Sequence, residues 1–348
     1  MSESPERLSA ASVEVPSVDV PATGQPAGPR NSASGLLIAL LSAAMFATAG
    51  SFAKPLLEAG WSPAAAVLVR LGMASLVLAV PAAFALRGQW HVLRDRWRPI
   101  LIYGLFACAG VQVAYFNALT FLPVGVSSLL EYLGVVLVVL WVWATTRRRP
   151  GWVTLTGMVV AIAGLVVLLN PGSIGVVDPR GFSWAFMAAA GMAVYFLTSA
   201  STSGIPPVAF VSAGLGVGTL TLLVVGLLGF LPLQATTADV TMLGGSWPWW
   251  TPLAELAIIA AALAYVTGFV GARRLGATVA SFVGLTEVVF AVGWAALLIG
   301  ELPTWGQIVG GLVLLSGVAA VETGNRRDAL AATRTPERAD STNQAVSV

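Results

Sequence analysis

The sequence predicts an all-α integral membrane protein whose ten transmembrane helices form two inverted five-helix repeats. The first observation is composition, because 57% of the 348 residues are hydrophobic and only 10% are charged, whereas soluble domains carry about 25% charged residues. The second is a series of apolar segments of about 18 to 25 residues, each long enough to cross a bilayer. The third is an internal repeat that relates the two halves.

The ten apolar segments are separated by short polar or Gly/Pro-rich breaks. Residues 1–34 are rich in Ser, Pro and Ala and have no basic region leading into an apolar core, so we predict a disordered tail and not a signal peptide. Residues 323–348 lack apolar periodicity and are also predicted to be disordered. The predicted segments are 35–54, 62–86, 100–120, 124–145, 152–169, 182–202, 208–231, 251–272, 277–299 and 305–322.

Basic residues predict the orientation in a bacterial-type inner membrane. The breaks after odd-numbered segments carry only Lys54 and Arg180, whereas nine Arg residues follow even-numbered segments. Since basic residues collect on the cytoplasmic side, both termini are predicted to be cytoplasmic. The nine are Arg87, Arg94, Arg96, Arg98, Arg147, Arg148, Arg149, Arg273 and Arg274.

An internal repeat appears when the chain is shifted by 153 residues. Helices four and five then match helices nine and ten without a gap, which defines a first repeat at 35–169, a linker at 170–181 and a second repeat at 182–322. Because five is odd, the second repeat enters the membrane upside down relative to the first. The shift places Trp141 on Trp294, Pro150 on Pro303, Trp152 on Trp305, Gly157 on Gly310 and Gly164 on Gly317.

Two motifs resemble those of a known transporter family. The stretch LIGELPTWGQIVGGLVLLSGV at Leu298–Val318 and the stretch ALTFLPVGVSSLLE at Ala118–Glu131 are similar to motifs of the EamA family in the drug/metabolite transporter superfamily. This resemblance spans about 35–322 and implies a ten-helix inner-membrane carrier of small molecules.

Three shorter motifs refine the resemblance. LLEYLG at 129–134, LTEV at 285–288 and VLVRL at 67–71 are similar to the threonine/homoserine exporter branch of this family. That branch implies an amino acid or related compound as the exported substrate.

Charged and polar residues within the apolar segments predict a shared cavity. A carboxylate at mid-membrane costs roughly 2.5 to 3.5 kcal/mol, so it usually faces a partner or a watered cavity. With a rise of about 1.5 Å per residue, Glu131 lies about 12 Å and Glu287 about 15 Å into a hydrocarbon layer about 30 Å thick. Arg70 and Gln112 fall at a depth similar to that of Glu131. We therefore predict that these four side chains meet.

The repeat relates the two carboxylates to each other. The shift places Glu131 on Gly284, and Glu287 lies one helical turn further on the same face. Ser128 lies one turn from Glu131, and Ser281 lies on the face of Glu287. Each half is therefore expected to contribute a carboxylate and a small polar side chain to the substrate site.

Alternatives remain open for several of these residues. Arg70 and Glu131 could form a permanent ion pair, or Arg70 could bind a substrate carboxylate while Glu131 or Glu287 exchanges a proton. Tyr265 and Tyr195 could hydrogen-bond the substrate or serve in packing.

Two further carboxylates are assigned structural roles. Glu255 follows a predicted N-cap and first-turn proline, so it is interpreted as a helix-start carboxylate. Glu301 is interpreted as part of a loop or cap.

The remaining composition excludes other functions. With one cysteine and one histidine, the chain cannot form a disulfide framework or a Cys/His metal cluster, so no cofactor or metal is implied. A net charge of +2 does not indicate a nucleic-acid partner. No G-x-x-x-x-G-K-[ST] loop supports ATP-driven pumping. An intramembrane enzyme is disfavoured because no metal cluster or nucleophile with a base is visible.

The predicted function is a secondary active transporter that exports a small polar metabolite, an amino acid or related compound, by proton exchange through alternating access. Its expected partners are the substrate, protons and the lipid bilayer, while the oligomeric state is not determined by the sequence. The alternatives are a carrier of another metabolite or drug-like solute, and a non-transporting sensor or scaffold.

Overall fold

The computed structural model describes residues 29–119, 121–122, 130–147, 149–169, 179–298 and 302–345. Most of the predicted N-terminal tail and of the predicted linker lie outside these ranges. The elements are α1 (Pro29–Phe46), α2 (Thr48–Glu58), α3 (Pro63–Ala85), α4 (His91–Asp95), α5 (Trp97–Ile102), the π-helical segment π1 (Tyr103–Gly110), α6 (Val111–Leu119), α7 (Gly134–Thr146), α8 (Trp152–Leu169), α9 (Pro179–Ser201), α10 (Pro207–Leu227), β1 (Val240–Met242), β2 (Gly245–Trp247), α11 (Trp250–Ala257), the π-helical segment π2 (Ile258–Leu263), α12 (Ala264–Leu275), α13 (Ala277–Gly284), α14 (Thr286–Leu298) and α15 (Trp305–Ala345).

The described part of the chain has eight helical stretches that are long and apolar enough to span a membrane. Two shorter apolar helices, Leu130–Thr146 and Trp152–Leu168, lie at the predicted fourth and fifth segments. The eight stretches are Ala33–Glu58, Pro63–Ala85, Trp97–Tyr115, Pro179–Ser201, Pro207–Leu227, Trp250–Leu275, Ala277–Leu298 and Trp305–Arg327.

The last helix is longer than the sequence predicts. The backbone of α15 continues to Ala345, whereas disorder is predicted from residue 323. Extending an existing helix needs no new nucleus, and the Ala and Arg residues that follow 323 are good helix formers. Loss of apolar periodicity therefore ends the predicted membrane segment without ending the helix.

The break between α10 and α11 lies outside in the predicted orientation (the outer break), and it contains a small β-hairpin, which the all-α prediction misses. β1 and β2 pair antiparallel with Val240 opposite Trp247. The turn between them places Leu243 and Gly244 at positive φ, as a two-residue hairpin turn requires. Strands of three residues are too short to show an alternating apolar pattern.

This outer break packs on the turn between α2 and α3. Ser62 caps α3 by accepting a hydrogen bond from the Ala65 amide, and its hydroxyl donates to the Pro232 carbonyl at 2.6 Å. Trp61 stacks on Trp249 with ring centroids 5.9 Å apart. The break is thereby fixed against the first repeat.

Helix interruptions occur at corresponding places in the two halves. The shift of 153 residues places 105–110, within π1, on the whole of π2. The helical residues 130–132, directly before α7, are separated from it at Leu133, and α13 and α14 are separated at Leu285. At these positions the amides bond to the carbonyls of Leu130 and Phe282, three residues back. Such interruptions mark the substrate sites of many secondary transporters.

The matched helices α8 and α15 pack against each other through glycines. A Cβ on Gly164 would lie 2.7 Å from the Leu314 Cα, and a Cβ on Gly317 would lie 2.6 Å from the Ala161 Cα. The shift of 153 residues places Gly164 on Gly317 and Ala161 on Leu314, so the two contacts are equivalent in the repeat. Because rising numbers in α8 meet falling numbers in α15, the two helices run antiparallel. Small residues allow this close approach in the absence of a hydrophobic driving force.

A polar contact holds two other helices together inside the apolar core. Ser75 of α3 donates to the Ser212 carbonyl of α10 at 2.9 Å, and Ser212 donates to the Ser75 carbonyl at 3.1 Å. The pair satisfies two hydroxyls that would otherwise be costly in an apolar environment. It fixes the register of α3 against α10.

Candidate functional site

A cavity of about 150 Å³ lies between the two halves of the chain. Its walls come from α1, π1, α6 and the helix before α7 in the first half, and from α9, α12, α13 and α14 in the second. The volume is below the range of roughly 300 to 1,000 Å³ found for sites that hold drug-sized ligands. The cavity therefore suits a small ligand.

Both predicted carboxylates line this cavity. Glu131 lies two residues before the interruption at Leu133, and Glu287 lies two residues after the interruption at Leu285. Each half thus brings one carboxylate next to a broken helix. The two groups interact electrostatically with each other. Like charges around one small cavity repel, so the pair favours a shared proton or a bound cation.

The polar partners of the carboxylates are a glutamine and two tyrosines. Gln112, Tyr195 and Tyr265 all line the cavity. Gln112 is a hydrogen-bond neighbour of Tyr265. The Tyr195 hydroxyl is buried and has no hydrogen-bond partner within the described residues.

The wall also contains aromatic rings among small and aliphatic side chains. The Phe46 and Tyr265 rings meet edge to face with centroids 4.9 Å apart, and those of Tyr195 and Phe196 do so at the same distance. Tyr132, which neighbours Glu131, also lines the cavity. Two carboxylates therefore face a set of aromatic rings.

A serine and a glycine that the sequence analysis does not single out complete the site. Ser42 donates to the Ala264 carbonyl at 2.7 Å, which ties α1 to α12. A Cβ on Gly268 would collide with the Tyr195 hydroxyl and with Ser42. Gly268 thus provides the space in which the tyrosine hydroxyl lies. Ser42 and Phe46 lie four residues apart and therefore share one face of α1. This spacing is the sequence signal that could have indicated Ser42 and Phe46 as lining residues.

Arg70 does not line the cavity. Its Nη2 donates to the Ala260 carbonyl in π2 at 2.7 Å, and its buried Nε has no hydrogen-bond partner within the described residues. Within the described residues, Arg70 and Glu131 form no ion pair with an N–O distance of 4.0 Å or less. Arg70 interacts electrostatically with Glu287 and Glu255. Arg70 therefore belongs to a layer beside the cavity.

The two predicted serines do not add to the described wall. Ser281 is fully buried, and its hydroxyl donates to the Thr278 carbonyl of its own helix at 2.9 Å. Ser128 lies outside the described residues, so its position relative to Glu131 stays a prediction. The carboxylates and aromatic rings dominate the chemistry of the cavity.

Glu255 is not a helix-start carboxylate, and that interpretation is wrong. α11 begins at Trp250, so Glu255 lies in its second turn. Its Oε1 accepts a hydrogen bond from Thr48 at 2.5 Å, and its Oε2 is buried without a partner among the described residues. Glu255 therefore belongs with Arg70 to the layer beside the cavity, where it links α2 to α11.

The fold and the cavity define a multi-pass helical membrane protein of the transporter class. The model of the EamA-like transporter family matches residues 33–170 and 179–323, so the chain belongs to this family and carries two of its repeats. Membership makes it a transporter with a small-molecule substrate. The EamA resemblance drawn from the sequence motifs is confirmed.

Related proteins agree with this assignment. The inner membrane transporter YicL of Salmonella typhimurium is 25% identical over 311 residues, which cover 86% of this chain and 98% of that protein. A crystal structure with 22% sequence identity superposes with a TM-score of 0.67 and covers 84% of this chain and 99% of the other. The chain is accordingly a multi-pass membrane protein.

Proposed function

We propose that this protein is a secondary active transporter that moves a small polar metabolite through the Glu131/Glu287 cavity by alternating access. The observation that carries the proposal is the placement of one carboxylate from each half beside a helix interruption in the same cavity. Sites of this kind, at the boundary between repeats, are typical of secondary transporters.

Inverted symmetry between the repeats supports alternating access. The contacts of Gly164 with Leu314 and of Gly317 with Ala161 are interchanged by the repeat shift, and the helices that carry them are antiparallel. A two-fold axis in the membrane plane relates helices in this way. We infer ten transmembrane helices in two inverted repeats, and both termini in the cytoplasm. A rocking motion about this axis would open the cavity to each side in turn.

Protons are the proposed coupling ions. Two carboxylates that line one small cavity repel each other when both are charged, and a bound substrate alters the balance between their charged and neutral forms. Exchange of substrate for protons would then drive export.

The class of substrate is proposed from the sequence resemblance and the size of the cavity. The resemblance to the threonine/homoserine exporter branch favours an amino acid or related compound. Another metabolite or a drug-like solute is the second candidate. The small cavity favours an amino acid or another small metabolite over a drug-like solute. A sensor or scaffold would have no need of a cavity with two carboxylates.

A flux assay in proteoliposomes tests the carrier function. The purified protein is reconstituted, and uptake of radiolabelled amino acids and small amines is measured with and without a pH gradient. We expect the gradient to accelerate exchange in the wild type and to have no effect in Glu131→Gln or Glu287→Gln. Asp95→Asn, which removes an exposed carboxylate outside the cavity, is the matched control. Flux that is absent for every solute in a folded protein would contradict the proposal.

A further inference from the structure

The described wall of the central cavity is acidic and carries no basic residue. Glu131 and Glu287 line it, and none of the described lining residues is Lys, Arg or His. The undescribed stretch 123–129, which precedes Glu131 in the chain, contains no basic residue either. A ligand in this cavity therefore faces two carboxylates with no cation beside them in the wall.

Arg70, a buried arginine beside the cavity, does not line its wall. Its Nη2 donates to the Ala260 carbonyl, and its buried Nε has no hydrogen-bond partner within the described residues. A substrate carboxylate placed between Glu131 and Glu287 would be repelled by each of them that carries a charge. Recognition of a free carboxylate, as an amino-acid substrate would require, thus lacks a donor of positive charge in the cavity.

The aromatic rings of the wall complement a positive charge. The faces of Tyr, Phe and Trp rings attract cations within about 6 Å, and the attraction increases when the site is desolvated. Phe46, Tyr132, Tyr195, Phe196 and Tyr265 all line the cavity. Tyr265 and Phe196 are 4% and 8% exposed, and the other three rings are half-buried.

We propose that the cavity binds a small organic cation that lacks a free carboxylate, with its charged group at Glu131 and Glu287 and its apolar body against the aromatic rings. This inference rests on the proposed carrier function for its biological role, since the cation would be the transported substrate. It concerns the chemistry of binding, however, and can be tested by binding alone. It selects amines and quaternary ammonium compounds over amino acids.

Four ligands with one phenyl body and different charges test the proposal on the full-length protein in detergent. They are N,N,N-trimethyl-2-phenylethylammonium, phenylalanine, 3-phenylpropionate and 2-phenylethanol, which are a permanent cation, a zwitterion, an anion and a neutral molecule. Isothermal titration calorimetry gives the affinity of each. We expect the cation to bind at least tenfold more tightly than phenylalanine and the anion not to bind.

Variants then assign the charge recognition to residues. Glu131→Gln and Glu287→Gln should each weaken cation binding by at least tenfold and leave the affinity for 2-phenylethanol unchanged. Asp95→Asn should change neither value. Tyr265→Phe keeps the ring and should retain cation binding, whereas Tyr265→Leu should lose severalfold in affinity. The ligand series on the unaltered protein decides the matter even where a variant does not fold.

The possible outcomes separate this inference from the carrier function. If phenylalanine or the anion binds as tightly as the cation, or if the cation does not bind, the inference is overturned. Flux of another solute under those conditions would leave the carrier function intact. If the cation binds as expected but no solute crosses a proteoliposome membrane, the site chemistry stands and the carrier function fails.

Discussion

Replacing Gly317 by Ala tests whether the antiparallel α8/α15 contact holds the two halves together. The new Cβ would lie 2.6 Å from the Ala161 Cα, about 0.8 Å closer than the 3.4 Å at which ordinary contact begins. The obstacle is backbone, so no change of rotamer relieves it, and we expect the upper end of the cost of overpacking, about 3 kcal/mol. Ala gains at most about 1 kcal/mol over Gly in helix propensity. The net loss of stability is therefore about 2 kcal/mol.

The assay is thermal unfolding of the purified protein, with two further variants. Gly164→Ala meets the Leu314 Cα at 2.7 Å and should lower Tm as much as Gly317→Ala does, since the repeat shift relates their contacts. Gly293→Ala is the matched control, because no atom lies within 4 Å of its new Cβ. We expect the two interface variants to melt at least about 4 °C below the control. Equal melting temperatures for Gly317→Ala and Gly293→Ala would refute the argument.

Three further predictions concern side chains outside the cavity. Ser62→Ala removes the cap of α3 and its bond to the outer break, and should cost about 1 to 2 kcal/mol in thermal unfolding; an unchanged Tm would show that the cap is dispensable. Thr48→Val keeps the shape of the side chain but leaves Glu255 without its hydrogen-bond donor, and should lower the free energy of unfolding by about 1 to 3 kcal/mol. Thr48→Ser keeps the hydroxyl and should retain most of the stability. Arg70→Met removes the donor to the Ala260 carbonyl and should lower Tm without weakening cation binding measured by calorimetry; a tenfold weaker affinity would place Arg70 in the binding site instead.

The sequence was sufficient to predict a multi-pass membrane protein with two repeats, and eight of the ten predicted segments are long enough to span a membrane within the described residues. Apolar runs long enough to cross a bilayer depend only on local composition, and the matching Trp, Pro and Gly positions are a linear pattern. The two carboxylates could be predicted for the same reason, since an ionisable residue within an apolar run is costly wherever it lies. The match to two EamA-like repeats and the cavity position of Glu131 and Glu287 agree with these predictions.

Side-chain partners across helices depended on tertiary structure. Depth along a helix places Arg70 level with Glu131, but depth does not define the face on which a side chain lies or the helix that it meets. The structure directs Arg70 to the π2 carbonyl of Ala260 and pairs Glu255 with Thr48. Neither contact has a signature in the linear sequence.

The sequence by itself thus determined that two carboxylates must be accommodated within the membrane, because burial of charge is costly whatever the fold. Only the tertiary structure decided what surrounds them. It brings aromatic rings from α1, α9 and α12 to Glu131 and Glu287 and keeps Arg70 out of the cavity wall. Residues far apart in the chain meet through helix packing, and that packing determines which side chains line the cavity.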